Sequence, residues 1–153
     1  IGNQPLTMGT FHGFGARFLR RYGRSVGLRE NFTIFDTDDA KKALERAVVQ
    51  AKVSLTHLTL GQLTKEISHL KNRLIPPHAI DQANLGVNQP ILQAVYPAYS
   101  RQLLECNAVD FDDLLLYPAT ILQTEPELRS SLDHHFQYIL VDEYQDTNYA
   151  QYM

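Results

Sequence analysis

Tyr138-Ile139-Leu140-Val141-Asp142-Glu143-Tyr144-Gln145-Asp146-Thr147-Asn148 begins as an apolar, β-prone run and ends on two adjacent acids and a polar tail. A strand buried in a parallel sheet reads as a continuous apolar run, and ligands of such sheets bind beyond the carboxyl ends of the strands. The run therefore predicts a strand at 138–141 with Asp142 and Glu143 at the edge of a sheet. One carboxylate there can hold a nucleotide-bound Mg²⁺, which takes oxygen ligands, while its neighbour orients or deprotonates the water that attacks the terminal phosphate. Taken without its tail, the apolar run plus two acids reads equally as an acidic turn after an edge strand.

Working outward, most of the chain has helical periodicity. Leu6 to Thr10 is a short β-prone stretch leading into Phe11, Phe14, Phe18 and Tyr22, which recur at helical spacing until Gly23 and Gly27 supply a stop. Phe32 to Phe35 is a brief extended connector, and Asp36-Thr37-Asp38-Asp39 has the acid-rich, cap-competent character of a helix start. The helix that follows carries Ala40, Ala43, Leu44, Ala47, Val48 and Ala51 on one stripe and ends near Val53. Leu60, Leu63, Ile67, Leu70 and Leu74 mark a further helix, ended by Pro76-Pro77. Leu92 to Cys106 predicts a long helix with a kink or late start at Pro97. Helices at 111–123 and 127–135 precede the run at Tyr138. The expected fold is mostly α with a small parallel β element, in which the stretches at 6–10 and 138–141 lie side by side and the helical middle is an insertion.

The chain has 153 residues, 44% of them hydrophobic, enough to bury a core in one domain or one and a part. No apolar stretch approaches the ~18 residues of a membrane span, and no charged-then-apolar leader is present, so a soluble, cytoplasmic protein without membrane partners is expected. The single cysteine, Cys106, excludes an internal disulfide and reads as a buried, inert thiol. Charge is polarised. Residues 1–80 carry twelve Lys/Arg against six Asp/Glu, whereas residues 81–153 carry two against eleven. A basic half can meet phosphates even though the whole chain has net charge −3, although both halves can also be ordinary solvated faces.

The tail of the opening run, Asp142-Glu143-Tyr144-Gln145-Asp146-Thr147-Asn148, resembles the second helicase motif of the UvrD/PcrA/Rep family of superfamily 1 DNA helicases. Thr10-Phe11-His12-Gly13-Phe14 with the helix after it resembles that family's TFH segment, Asp110-Phe111-Asp112-Asp113-Leu114-Leu115 its DFDDL segment, and Lys71-Asn72 with Pro76 its K-N…P stretch. The blocks fall in the family's order and cover essentially the whole chain. The resemblance implies a partial RecA-like P-loop motor domain (α/β), made of residues 1–27 and 108–153, carrying an inserted helical subdomain at 28–107.

It further implies an ATP-dependent 3′-to-5′ helicase that uses ATP and Mg²⁺ and acts on single-stranded and forked DNA. In that reading Asp142 coordinates the metal, Glu143 activates water, and Gln145 and Asp146 couple the nucleotide site to neighbouring motifs. Asp146 alternatively caps the helix beginning near Asn148. Thr10, Phe11 and His12 fall where the family contacts the DNA backbone, with Gly13 replacing a common serine. Arg17 belongs to a basic cluster with Arg20, Arg21 and Arg24, which supplies salt-sensitive affinity or pairs in part with the acidic half of this chain. Lys71, Asn72 and Arg73 resemble a stretch that meets duplex DNA ahead of the fork, or form a solvated helix face. Asp110, Asp112 and Asp113 are read through the helix dipole, and no nuclease is inferred from them.

The sequence contains no G-x-x-x-x-G-K-[ST] loop and no arginine-bearing segment after DEYQDTN, and both its ends look cut. A fragment that needs the remainder of the helicase chain, and does not turn over ATP alone, is therefore expected. Two rivals stand beside this reading: part of an AddA/RecB-like helicase-nuclease, and a non-catalytic DNA-binding module.

Overall fold

A computed structural model describes residues 7–153 and is predominantly helical. The helices are α1 (Phe11–Tyr22), α2 (Thr37–Gln50), α3 (Leu60–Asn72), α4 (Gln89–Glu105), α5 (Asp113–Thr124), α6 (Pro126–His135) and the one-turn α7 (Tyr149–Tyr152). Short 3₁₀ turns occupy Gly23–Val26, Pro77–Gln82, Gly86–Asn88 and Tyr144–Asp146. Starts follow local chemistry. Thr10 caps α1, Asp36 caps α2, and Thr59 with Gln62 forms a reciprocal capping box on α3, each satisfying first-turn amides that the helix cannot. No helix among the described residues is long and apolar enough to cross a membrane.

The parallel β element exists, but its strands are not those expected. It pairs β1 (Thr33–Ile34) with β2 (Ala108–Val109). Asn107 organises this contact: its carbonyl accepts from Thr33 N–H at 3.0 Å, and its side-chain Oδ1 accepts from Arg29 N–H at 2.9 Å. The expected strand at 138–141 is not a strand: the segment is unpaired, with Tyr138 89% and Leu140 98% exposed. β-propensity gives a strand only where a neighbour supplies the ladder, and the described residues place none beside it. Likewise, 7–10 form no strand, and Leu6 lies outside the described residues.

Two apolar clusters make the core. The larger joins α2, α3 and α4 through Leu44, Leu63, Leu70, Leu92, Tyr96 and Leu103. The second joins α1 and α5 through Phe18, Leu19, Val109, Leu114, Tyr117 and Ile121, and takes in Leu28 and Phe32 as well. Pro97 lies inside α4 without delaying its start, and α3 ends at Asn72, before Pro76-Pro77. Cys106 is exposed at the end of α4 rather than buried.

Pro118 sits inside α5, where its missing N–H leaves the Leu114 carbonyl without the usual helical partner. Gly15 of α1 packs directly against that carbonyl, so close that a methyl group would overlap the oxygen. This contact sets the height of α1 over α5. Gly15→Ala is expected to destabilise the chain by about 1–3 kcal/mol through forced separation of the two helices, measured by urea unfolding. An unchanged midpoint would show that α1 can shift without cost.

Candidate functional site

The most constrained feature is a buried ion cluster where α3 meets the turn into α5. Lys71, in the last turn of α3, has no exposed side-chain surface. Its Nζ donates to Asp110 Oδ2 at 2.7 Å, meets Asp113 Oδ1 at 2.7 Å and lies 5.0 Å from the Tyr99 ring centre. Asp113 Oδ1 meets the ammonium as a close charge contact rather than an aligned hydrogen bond. Tyr99 O–H also donates to Asp110 Oδ2, at 2.9 Å. Asp110 and Asp113 close on each other: Asp113 N–H donates to Asp110 Oδ1 at 2.9 Å and Asp110 N–H to Asp113 Oδ2 at 3.2 Å.

Burial acts to lower the Lys71 pKa, but the two carboxylates outweigh it and hold the ammonium well above its ordinary range. Burial acts to raise Asp110, yet the Lys71 charge and the hydrogen bonds it accepts hold it below the usual carboxylate value. Asp113 goes the other way. Burial first, then the Asp110 charge, push it up to about 7, against the pull of Lys71. Two acids and one base thus share the pocket, and Asp113 carries the surplus charge.

This geometry corrects two expectations. Lys71 is not on a DNA-facing surface, because its charge is consumed inside the core. Asn72 points inward too: its Nδ2 donates to Asp112 Oδ1 at 2.8 Å and to Ser68 O at 2.9 Å, and its Oδ1 accepts from Asn148 Nδ2 at 2.7 Å. Arg73 alone of that triplet is exposed. The K-N spacing gave no sign of this, since its partners lie 39 and 76 residues downstream.

Asp142 and Glu143 are exposed at the end of the unpaired 138–141 segment. Glu143 N–H donates to Asp142 Oδ1 at 2.9 Å, and Glu143 itself adopts left-handed backbone geometry at φ 49°, uncommon for a residue with a side chain. Gln145 Nε2 donates to the Glu143 carboxylate. The N-cap of α7 is Asn148, in a capping box with Gln151, and not Asp146, which stands exposed in the preceding 3₁₀ turn. Among the described residues no three ligating side chains cluster around a metal-sized space. Adjacent hard carboxylate oxygens suit Mg²⁺, which is commonly held by one or two carboxylates with phosphates and water completing its shell.

A second surface lies at the start of α1. Thr10 is exposed and its Oγ1 accepts from Gly13 N–H at 3.0 Å. The Arg17 guanidinium turns back over this end, such that a methyl on Gly9 would lie 3.4 Å from its Nη2. Phe11 and His12 are half-buried, and the His12 ring meets Phe111 edge-on at 6.0 Å. Phe111 is 55% exposed, a large aromatic held at the surface, which an aromatic between acids in DFDDL does not signal by itself. Arg20 is engaged elsewhere, donating to the Glu30 carbonyl at 2.6 Å and covering the Phe32 ring, while Arg24 pairs with Glu30 at 3.3 Å.

The chain matches the model of the UvrD/REP helicase N-terminal domain over residues 2–153. It is 34% identical over 149 residues to the ATP-dependent DNA helicase PcrA of Leuconostoc citreum, covering 97% of this chain and 20% of that protein. It is 36% identical over 147 residues to the ATP-dependent DNA helicase Rep of Escherichia coli (strain K12), covering 96% and 22%. With the ATP-dependent DNA helicase UvrD1 of Mycobacterium tuberculosis (strain ATCC 25618 / H37Rv) it shares 37% identity over 151 residues, 94% of this chain and 19% of that protein. The chain thus spans about one fifth of the length of the curated relatives it matches.

Two outcomes follow from the ion cluster. Lys71→Met leaves two buried carboxylates without their cation and is expected to cost about 3–5 kcal/mol in urea unfolding, far more than an exposed lysine would. The raised pKa of Asp113 means that the folded state binds its proton more tightly than the unfolded state does. Its stabilising contribution is complete below the ordinary carboxylate range and is lost as pH rises towards about 7. Melting temperature should therefore fall between pH 5 and pH 8, and Asp113→Asn should flatten that slope; an identical slope in the variant would contradict the assignment.

Proposed function

We propose, from the premise that this chain belongs to the UvrD/REP helicase family, that it supplies the acidic half of an ATP site and part of the DNA track of a motor moving 3′ to 5′ on single-stranded DNA. The observation that carries this reading is the exposed Asp142–Glu143 pair directly after an apolar segment, inside an intact DEYQDTN block. Asp142 would hold Mg²⁺, whose chemistry when bound is to neutralise phosphate charge. Glu143 takes or orients the proton of the attacking water, and the Gln145 amide holds the Glu143 carboxylate in place. Asp146, exposed beside them, is free to reach a neighbouring motif.

The DNA side is the start of α1 with the turn at Phe111. Thr10, the first-turn amides and the Arg17 guanidinium suit a backbone phosphate, and Phe11, His12 and exposed Phe111 offer apolar and aromatic surface on which bases can stack. Arg73, exposed at the end of α3, is the member of the Lys71-Asn72-Arg73 triplet that remains available to duplex DNA at a fork. The two-cluster core supports a division into a helical subdomain and parts of a RecA-like motor domain, proposed at 28–107 and at 1–27 with 108–153. Leu28 and Phe32 pack with the α1–α5 cluster and favour a first junction slightly later than 28.

The test uses the full-length protein that carries this chain. ATP turnover stimulated by single-stranded DNA is expected, and Glu143→Gln should lower it by about 10²–10⁴-fold, the usual effect of losing a positioned acid–base group. Phe111→Ala should weaken single-stranded DNA binding by about 1–3 kcal/mol, the range for loss of one stacking aromatic. Arg17→Ala should reduce the slope of log affinity against log salt by about one contact. The chain by itself, without a phosphate-binding loop, should hydrolyse no ATP; robust turnover by it, or none by the full-length protein with DNA, would refute the proposal.

A further inference from the structure

We propose that Asn72 is a positioning residue that ties the DNA-facing turn at Phe111–Asp112 to the DEYQDTN block, so that a strand seated on one is felt at the carboxylates of the other. The inference rests on the function proposed above and concerns a residue in neither surface. One side-chain amide joins three segments. Its Nδ2 donates to Asp112 Oδ1, next to exposed Phe111, while its Oδ1 accepts from Asn148, the last residue of DEYQDTN.

Each end of this link is fixed. Asn148 Oδ1 accepts from Gln151 N–H at 2.9 Å and Asn148 N–H donates to Gln151 Oε1 at 3.2 Å, so Asn148 cannot turn without uncapping α7. Asn72 follows Lys71, whose ammonium is held between Asp110 and Asp113, and its Nδ2 also bonds Ser68 O within α3. Phe111 reaches His12 of α1 on its other side. A displacement of Phe111 by a stacked base therefore acts on Asp112, on Asn72 and on the end of the acidic block through consecutive short contacts.

The position demands an amide. It must donate to a carboxylate and accept from an amide at once, which asparagine does and aspartate cannot, because an ionised carboxylate only accepts. Asn72→Asp keeps an acceptor for Asn148 but sets two carboxylates against each other at the Asp112 contact. Adding Asp112→Asn returns a donor to that pair and should restore it.

The experiment again uses the full-length protein and reads the ratio of ATP turnover with saturating single-stranded DNA to turnover without it, together with KM for ATP and the unfolding midpoint. Asn72→Ala should lower the ratio about five-fold or more, the lower range of coupling between two sites, with little change in KM for ATP. Asn72→Asp should lower it further, and the double variant N72D/D112N should recover most of it. A wild-type ratio in Asn72→Ala overturns the inference, as does a loss in Asn72→Asp that the second substitution fails to recover. If Asn72→Ala does not fold, the comparison of N72D with N72D/D112N decides alone. A wild-type protein without DNA-stimulated turnover would instead refute the function on which the inference stands.

Discussion

One buried ammonium joins the two apolar clusters of the described structure. Lys71 lies in the last turn of α3, a helix of the larger cluster, and the acids that neutralise it flank the start of α5 of the other cluster. A charge taken out of water is tolerable only when its partners are close and themselves satisfied, and here Tyr99 and the reciprocal Asp110–Asp113 amide bonds complete the arrangement. The ion cluster therefore acts as a registration pin. It specifies which turn of α3 faces α5, a precision that interchangeable leucines on the same faces would not impose. Phe111 and Asp112 lie between the two pinning acids, so their orientation is inherited from it.

From that pin the remaining geometry follows by short steps. Gly15 against the Leu114 carbonyl brings the start of α1 down on α5, which sets His12 beside Phe111. Asn72, one residue beyond the pin, carries Asn148 and with it the end of DEYQDTN. The acids themselves stand clear of the core, on a backbone that reverses at Glu143 in left-handed geometry. Such conformations are costly for a side-chain-bearing residue and concentrate where function requires a particular presentation.

Helices were legible in the sequence because their causes are local: the three- and four-residue spacing of Leu60, Leu63, Ile67 and Leu70, or the cap at Asp36, can be read without knowing what lies opposite. Membership of the helicase family was legible for a different reason, seven consecutive residues whose chemistry leaves little freedom. Pairing was not. β1 and β2 are two residues each and meet across more than seventy positions, whereas the more β-prone 138–141 run stays unpaired among the described residues. Lys71 misled for the same non-local reason. A lysine at the end of an amphipathic helix ordinarily reaches solvent, and only the distant Asp110 and Asp113 turn it inward. Phe111 by its residue type reads as core, and its exposure is a property of the fold, set by the turn between Asp110 and Asp113.

The uncovered Tyr138–Val141 segment has a material consequence. Four β-prone, uncharged, proline-free residues with an open backbone edge are adhesive: they can zip onto a complementary strand, and the same segment of a second molecule is such a partner. The two exposed acids that follow at once, Asp142 and Glu143, put charge on the flank of that stretch and oppose such pairing, so the residues that mark the candidate site also guard the segment that delivers them.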